Sequence, residues 1–192
     1  MPTLGEIRVN PTISYHSEPS LTALNDGGYI VAWSDQGTST TDYIYTQRYN
    51  ASGVKVGGPA LVNSVTSSAQ EDPTITALAN GGYVVAWQSG TFDDMSDIAA
   101  QVYNANGVKV GSEFIVNTAR IGMQDSAEIT ALKDGGFVVS WASYGQDGSG
   151  WGGYLQRYEA SGAKVGAETR VSTTPQYDQD GHTVTRLASG GH

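Results

Sequence analysis

The 192-residue sequence has no cysteine, which excludes a disulfide framework, a thiolate metal site and a cysteine nucleophile. It has three histidines, too few and too scattered for a multi-histidine zinc site. Basic residues are scarce. Ten Lys plus Arg against nineteen Asp plus Glu leave a formal net charge of −9. A nucleic-acid surface needs Lys and Arg to replace phosphate counterions, so no nucleic-acid partner is expected. No run approaches the ~18 apolar residues of a membrane-spanning helix, and no membrane insertion is expected. No charged-then-apolar leader opens the chain, and no helical period of useful length occurs. What is abundant is glycine, 25 residues that do not fall at every third position. With Thr, Tyr and Val prominent, this reads as an all-β chain with many tight turns.

A repeat organises the sequence. Gly27-Gly28 returns as Gly81-Gly82, Gly135-Gly136 and Gly190-Gly191, at spacings of 54, 54 and 55. Trp33, Trp87 and Trp141 keep the same step, as do Gln47, Gln101 and Gln156, and Tyr49, Tyr103 and Tyr158. Each unit reads as four short strands, a to d. Strand a covers 20–24, 74–78 and 128–132, with alternating apolar residues. A turn of the Asn-Asp-Gly-Gly type follows, a strong hairpin signal because Gly accepts positive φ. Strand b, 29–33 in the first unit, is almost continuously apolar, which suits a strand packed on both faces. Strand c covers 43–49, and strand d covers 60–63, 114–117 and 169–172. Four antiparallel strands in about 50 residues are the blade pattern of a β-propeller. A β-sandwich needs about 100 residues and seven strands, so one unit is too small for that alternative.

The expected organisation is one repeat domain over 1–192. An N-terminal d strand at 4–10 precedes repeats at 17–63, 70–117 and 124–172, and a fourth repeat starts at 178–192 with a further a strand. Propellers have about four to eight blades, so three and a half are expected to be incomplete or closed by oligomerisation. The partners expected are the remainder of a longer polypeptide or other copies of the chain.

The pattern running from Leu132 to Trp141, then Gln146 to Gly150, Gln156 to Tyr158, and Gly107 to Asn117 resembles a repeat of large secreted bacterial proteins. These are the RTX-type, haemolysin-type calcium-binding proteins and adhesins. The resemblance covers nearly the whole chain. It implies an extracellular or cell-surface location and a structural or adhesive role. The glycine-rich calcium nonapeptide of the RTX β-roll is absent, so its sites carry over to no residue here.

Charge sorts by loop. The b–c loops hold Asp35, Asp42, Asp93, Asp94, Asp97 and Asp147, and the d–a loops hold Glu18, Glu71, Asp72, Asp125, Asp178 and Asp180. In a four-stranded blade these loops share one face. Lys55, Lys109, Lys133 and Lys164 fall at or beside the opposite turns, giving an acidic face and a mildly basic one. Ca²⁺ accepts six to eight oxygen ligands in irregular geometry. Asp93, Asp94 and Asp97, with Glu71 and Asp72 from the loop entering the same blade, are candidate ligands. Asp147 in Gln146-Asp147-Gly148-Ser149-Gly150 is another. The alternative is that these acids serve only solubility.

The repeated Trp33, Trp87 and Trp141 read as inter-blade core. Trp151 breaks the repeat and lies near Tyr144 in the third b–c loop, which makes this pair the candidate contact for surface glycans. No nucleophile elbow, Ser–His–Asp arrangement or phosphate loop occurs. The expectation from sequence is therefore a non-catalytic structural or adhesive propeller segment with calcium on its acidic face. A lectin-like propeller and a self-assembling scaffold are the alternatives.

Overall fold

The computed structural model describes residues 16–36, 41–91 and 95–171, together with Val9. The strand expected at 4–10, Val9 apart, and the strand expected within 178–192 lie outside the described residues. Twelve strands form three antiparallel sheets. The first holds β1 (His16–Ala23), β2 (Tyr29–Asp35), β3 (Tyr43–Tyr49) and β4 (Lys55–Leu61) in that order. The second holds β5 (Gln70–Ala77), β6 (Tyr83–Thr91), β7 (Met95–Tyr103) and β8 (Lys109–Ile115). The third holds β9 (Gln124–Ala131), β10 (Phe137–Tyr144), β11 (Trp151–Tyr158) and β12 (Lys164–Arg170). Among the described residues no helix occurs.

The repeated glycines are explained by close approach. A Cβ on Gly28, Gly82 or Gly136 would lie 2.3, 2.2 or 2.4 Å from the carbonyl oxygen of Tyr49, Tyr103 or Tyr158, the last residue of the neighbouring strand c. The turn is latched by its own side chain. Asp26, Asn80 and Asp134 each accept a hydrogen bond from the amide of that glycine, at 2.9, 2.9 and 3.0 Å.

Strands a and d are longer than the hydrophobic pattern suggests. Strand d starts directly after the c–d turn, at Lys55, Lys109 and Lys164. Its first half contains Gly57, Gly111 and Gly166 at φ of 71°, 68° and 70°, where the register shifts. The repeated glutamine of strand c closes that irregularity. Gln47 Nε2 donates to the carbonyls of Arg48, Val56 and Gly57. Gln101 and Gln156 repeat the arrangement. A buried carbonyl without a donor is costly, so this glutamine is structural at every recurrence.

The cores lie between sheets. Strand b shows opposite faces to its two neighbours, as alternation requires. Ile30 and Ala32 of the first sheet pack with Val85, Trp87 and Tyr103 of the second. Val84 and Ala86 of the second pack with Val139, Trp141 and Tyr158 of the third. Val31, Trp33 and Tyr49 pack on the remaining face with Val9. The repeated tryptophans are core residues, as the repeat implies.

The basic face expected at the turns does not form as such. Lys55, Lys109 and Lys164 reach across the blade boundary to the carbonyls of Val9, Val62 and Val116. Their charges serve as ties between sheets, because each carbonyl at the end of a d strand offers an acceptor within reach of the next blade.

Candidate functional site

The innermost strands β1, β5 and β9 adjoin one another, and their first residues meet at the end of the molecule that carries the long loops. Edge-strand amides are satisfied across the boundary. Ser20 Oγ accepts from the Ile75 amide at 3.3 Å, and Thr22 Oγ1 accepts from the Ala77 amide at 3.1 Å. Near the start of each inner strand the backbone turns left-handed at one non-glycine residue. These are Glu18, Asp72 and Ser126, at φ of 58°, 49° and 55°. This conformation is uncommon outside glycine. Its recurrence at one repeat position re-aims the three side chains toward the axis.

They line a cavity of about 420 Å³, together with Ser20, Thr74 and Glu128. The Asp72 amide donates to Glu18 Oε2 at 3.0 Å. Burial raises the Asp72 carboxyl to about 7, reinforced by a hydrogen bond and the negative charge from Glu18 and by the charges of Asp125 and Glu71. Glu71 is raised to about 7 as well, first by burial, then by the charge of Asp42 and a hydrogen bond with it. Two carboxyl–carboxyl pairs therefore bridge the first and second sheets, Glu18 with Asp72 and Asp42 with Glu71. Carboxyls in such pairs cannot both ionise cheaply, so one member of each pair holds a proton near neutral pH. The site offers donors and acceptors together, flanked by Ser and Thr hydroxyls.

The acids singled out from sequence separate into different places. Glu71 and Asp72 belong to these axial pairs. Asp97 forms an ion pair with Arg120 at 2.8 Å and accepts from Asn117 Nδ2 at 2.7 Å, beside a second depression lined by Ser64, Glu113 and Phe114. Asp147 forms an ion pair with Arg170 at 2.5 Å. Asp93 and Asp94 lie outside the described residues. Among the described residues, no group of three or more His, Cys, Asp or Glu side chains is placed to hold one metal ion. Tyr144 and Trp151 do meet. They face each other across the end of β10 and β11, with ring centroids 5.4 Å apart in an edge-on arrangement and Tyr144 49% exposed. Neither lines the axial cavity. Sequence reasoning passed over Glu18, Ser126 and Glu128 as site residues, although Glu18, Asp72 and Ser126 share the 54-residue step of the tryptophans.

No family model matches the chain, and no curated protein matches its sequence. Among solved structures, the chain is similar to the α-L-arabinanase of Penicillium chrysogenum, solved with arabinobiose. The TM-score is 0.63 and the identity 14%, over 84% of this chain and 51% of that one. It is also similar to the Hadza microbial sialidase Hz136, with a TM-score of 0.60 and 12% identity, over 80% of this chain and 37% of that one. The chain thus spans about half the length of the arabinanase or less than half that of the sialidase. These likenesses show the fold, an all-β propeller architecture. They also correct the expectation that the chain is not an enzyme. Both neighbours are enzymes by name, so the fold gives no ground for excluding catalysis. The missing serine and phosphate motifs give none either, because glycosidic bond cleavage relies on paired carboxylates that carry no short sequence signature.

Proposed function

We propose that the chain is a carbohydrate-binding propeller segment whose ligand, an oligosaccharide, sits in the axial cavity. The observation that carries this reading is the cavity's lining. A partly protonated Glu18–Asp72 pair stands among the hydroxyls of Ser20, Thr74 and Ser126. A sugar hydroxyl both donates and accepts, and a carboxyl pair sharing a proton does the same. Charge-assisted bonds to the ionised member are about twice as strong as neutral ones. The likeness to propellers named for arabinan and sialic acid chemistry supports the same ligand class.

Calorimetric titration with a panel led by arabinobiose tests this, with reducing-end release followed in the same samples. Binding that is lost in Asp72→Asn supports the reading. An absence of heat across arabino-, galacto- and sialyl-oligosaccharides overturns it.

A further inference from the structure

One small set of contacts joins each blade to the next. Lys109 Nζ donates to the Val62 carbonyl at 2.6 Å, and Lys164 Nζ donates to the Val116 carbonyl at 2.9 Å. Glu113 accepts from the amide and hydroxyl of Ser64 at 2.6 and 2.9 Å, and Glu168 accepts from those of Thr118, both at 2.7 Å. At the turn end, Arg48 Nη1 donates to the Ala105 carbonyl of the following blade at 3.0 Å. Val62 and Val116, under these joints, are 0% exposed.

The third blade presents the same features with nothing seated on them among the described residues. Val171 stands 55 residues past Val116 and is 52% exposed. Arg157, the counterpart of Arg48, pairs with Asp134, yet its Nε is buried without a partner. A cavity of about 420 Å³ opens beside it, lined by Asp134, Gly136, Arg157, Tyr158, Ala160 and Val165 among others. This is the socket that the two earlier blades fill for each other.

We propose that this face receives the first blade of a second copy of the chain, head to tail, and that two copies close a six-bladed ring. In that joint Lys55 of the second copy exchanges the Val9 carbonyl for that of Val171. The carbonyl of its Ala51, at the repeat position of Ala105, meets Arg157. The argument is continuity: the joint already occurs twice within the chain with the same residue types. A joint between unlike faces closes into a ring when its rotation divides the circle, and six blades fall within the usual range of about four to eight. The chain also spans 51% of the similar arabinanase. Three blades line only part of the axial cavity, and the ring completes it.

Gel filtration with light scattering on the 192-residue chain tests the proposal. The expected mass is twice the 20.2 kDa of one chain. Arg157→Ala and Lys55→Ala, on opposite sides of one joint, should each shift the dimer to monomer at concentrations where the unaltered chain is dimeric. Val171→Glu should do so more completely, and circular dichroism on Arg157→Ala confirms that the fold survives. A 20.2 kDa monomer throughout a dilution series overturns the proposal. So does a dimer indifferent to all three substitutions, and a ladder of species above the dimer overturns closure in two.

Discussion

The backbone amide of Asp72 donates a 3.0 Å hydrogen bond to the carboxylate of Glu18, so the first and second sheets meet at the axis through two acids from one repeat position. The Asp72 carboxyl, ordinarily near 3.8, is held at about 7. Over that interval the folded chain keeps a proton that the unfolded chain has lost. Stability therefore falls as pH rises from about 4 to about 7 and levels off above, because the state that binds more protons is favoured at low pH. Glu71, raised from 4.5 to about 7, adds to the same slope. Urea midpoints measured across this range should decline, and Asp72→Asn should flatten the decline while raising the midpoint at pH 8. Asn is the right replacement because it tolerates the φ of 49°. A slope unchanged by the substitution would contradict this assignment.

The buried tryptophans make a second prediction. Trp87 Nε1 donates to Gln70 Oε1 at 2.7 Å, and Trp141 Nε1 to Gln124 Oε1 at 3.0 Å. Gln70→Leu strands a buried donor and should cost about 1–3 kcal/mol in urea unfolding. Trp33 Nε1, at the same repeat position, has no partner among the described residues. Trp33→Phe should accordingly cost less than Trp87→Phe.

Two glycines of the second and first blades should respond oppositely to alanine. At Gly82 the added Cβ meets the Tyr103 carbonyl at 2.2 Å, so the a–b turn must move and stability should drop by more than about 1 kcal/mol. At Gly58 nothing lies within 4 Å. Gly58→Ala should be neutral or stabilising by about 0.4–1 kcal/mol, through the lower entropy of the unfolded chain. Chemical denaturation of the two variants side by side separates the steric effect from the entropic one.

The edge-on pair of Tyr144 and Trp151 stands apart from the axial acids. Trp151→Ala should cost about 0.5–1.5 kcal/mol of stability from the lost ring contact and leave oligosaccharide affinity unchanged. Calorimetry that shows affinity falling with Trp151→Ala would move the binding site to the hairpin tip.

Much of this was legible in the sequence because the repeat spacing is nearly rigid. Strand c, the a–b turns and the inward tryptophans fall where the 54-residue step puts them. The beginnings of strand d escaped notice because they are exposed, glycine-containing and irregular, held by the buried Gln47, Gln101 and Gln156 and not by an apolar pattern of their own. The beginnings of strand a escaped because Glu18 and Asp72 precede prolines in left-handed backbone, which reads as loop. Sorting the acids by loop placed them on one face but did not show which would meet. Asp97 and Asp147 found arginines, while Glu71 and Asp72 found other carboxyls.

The most direct test is amide chemical-shift mapping during titration with the tightest-binding oligosaccharide of the panel. The predicted result is that the largest shifts fall on Glu18, Ser20, Asp72, Thr74, Ser126 and Glu128, the residues around the axial cavity. Shifts confined to Tyr144 and Trp151, or absent at saturation from the axial residues, would contradict the account.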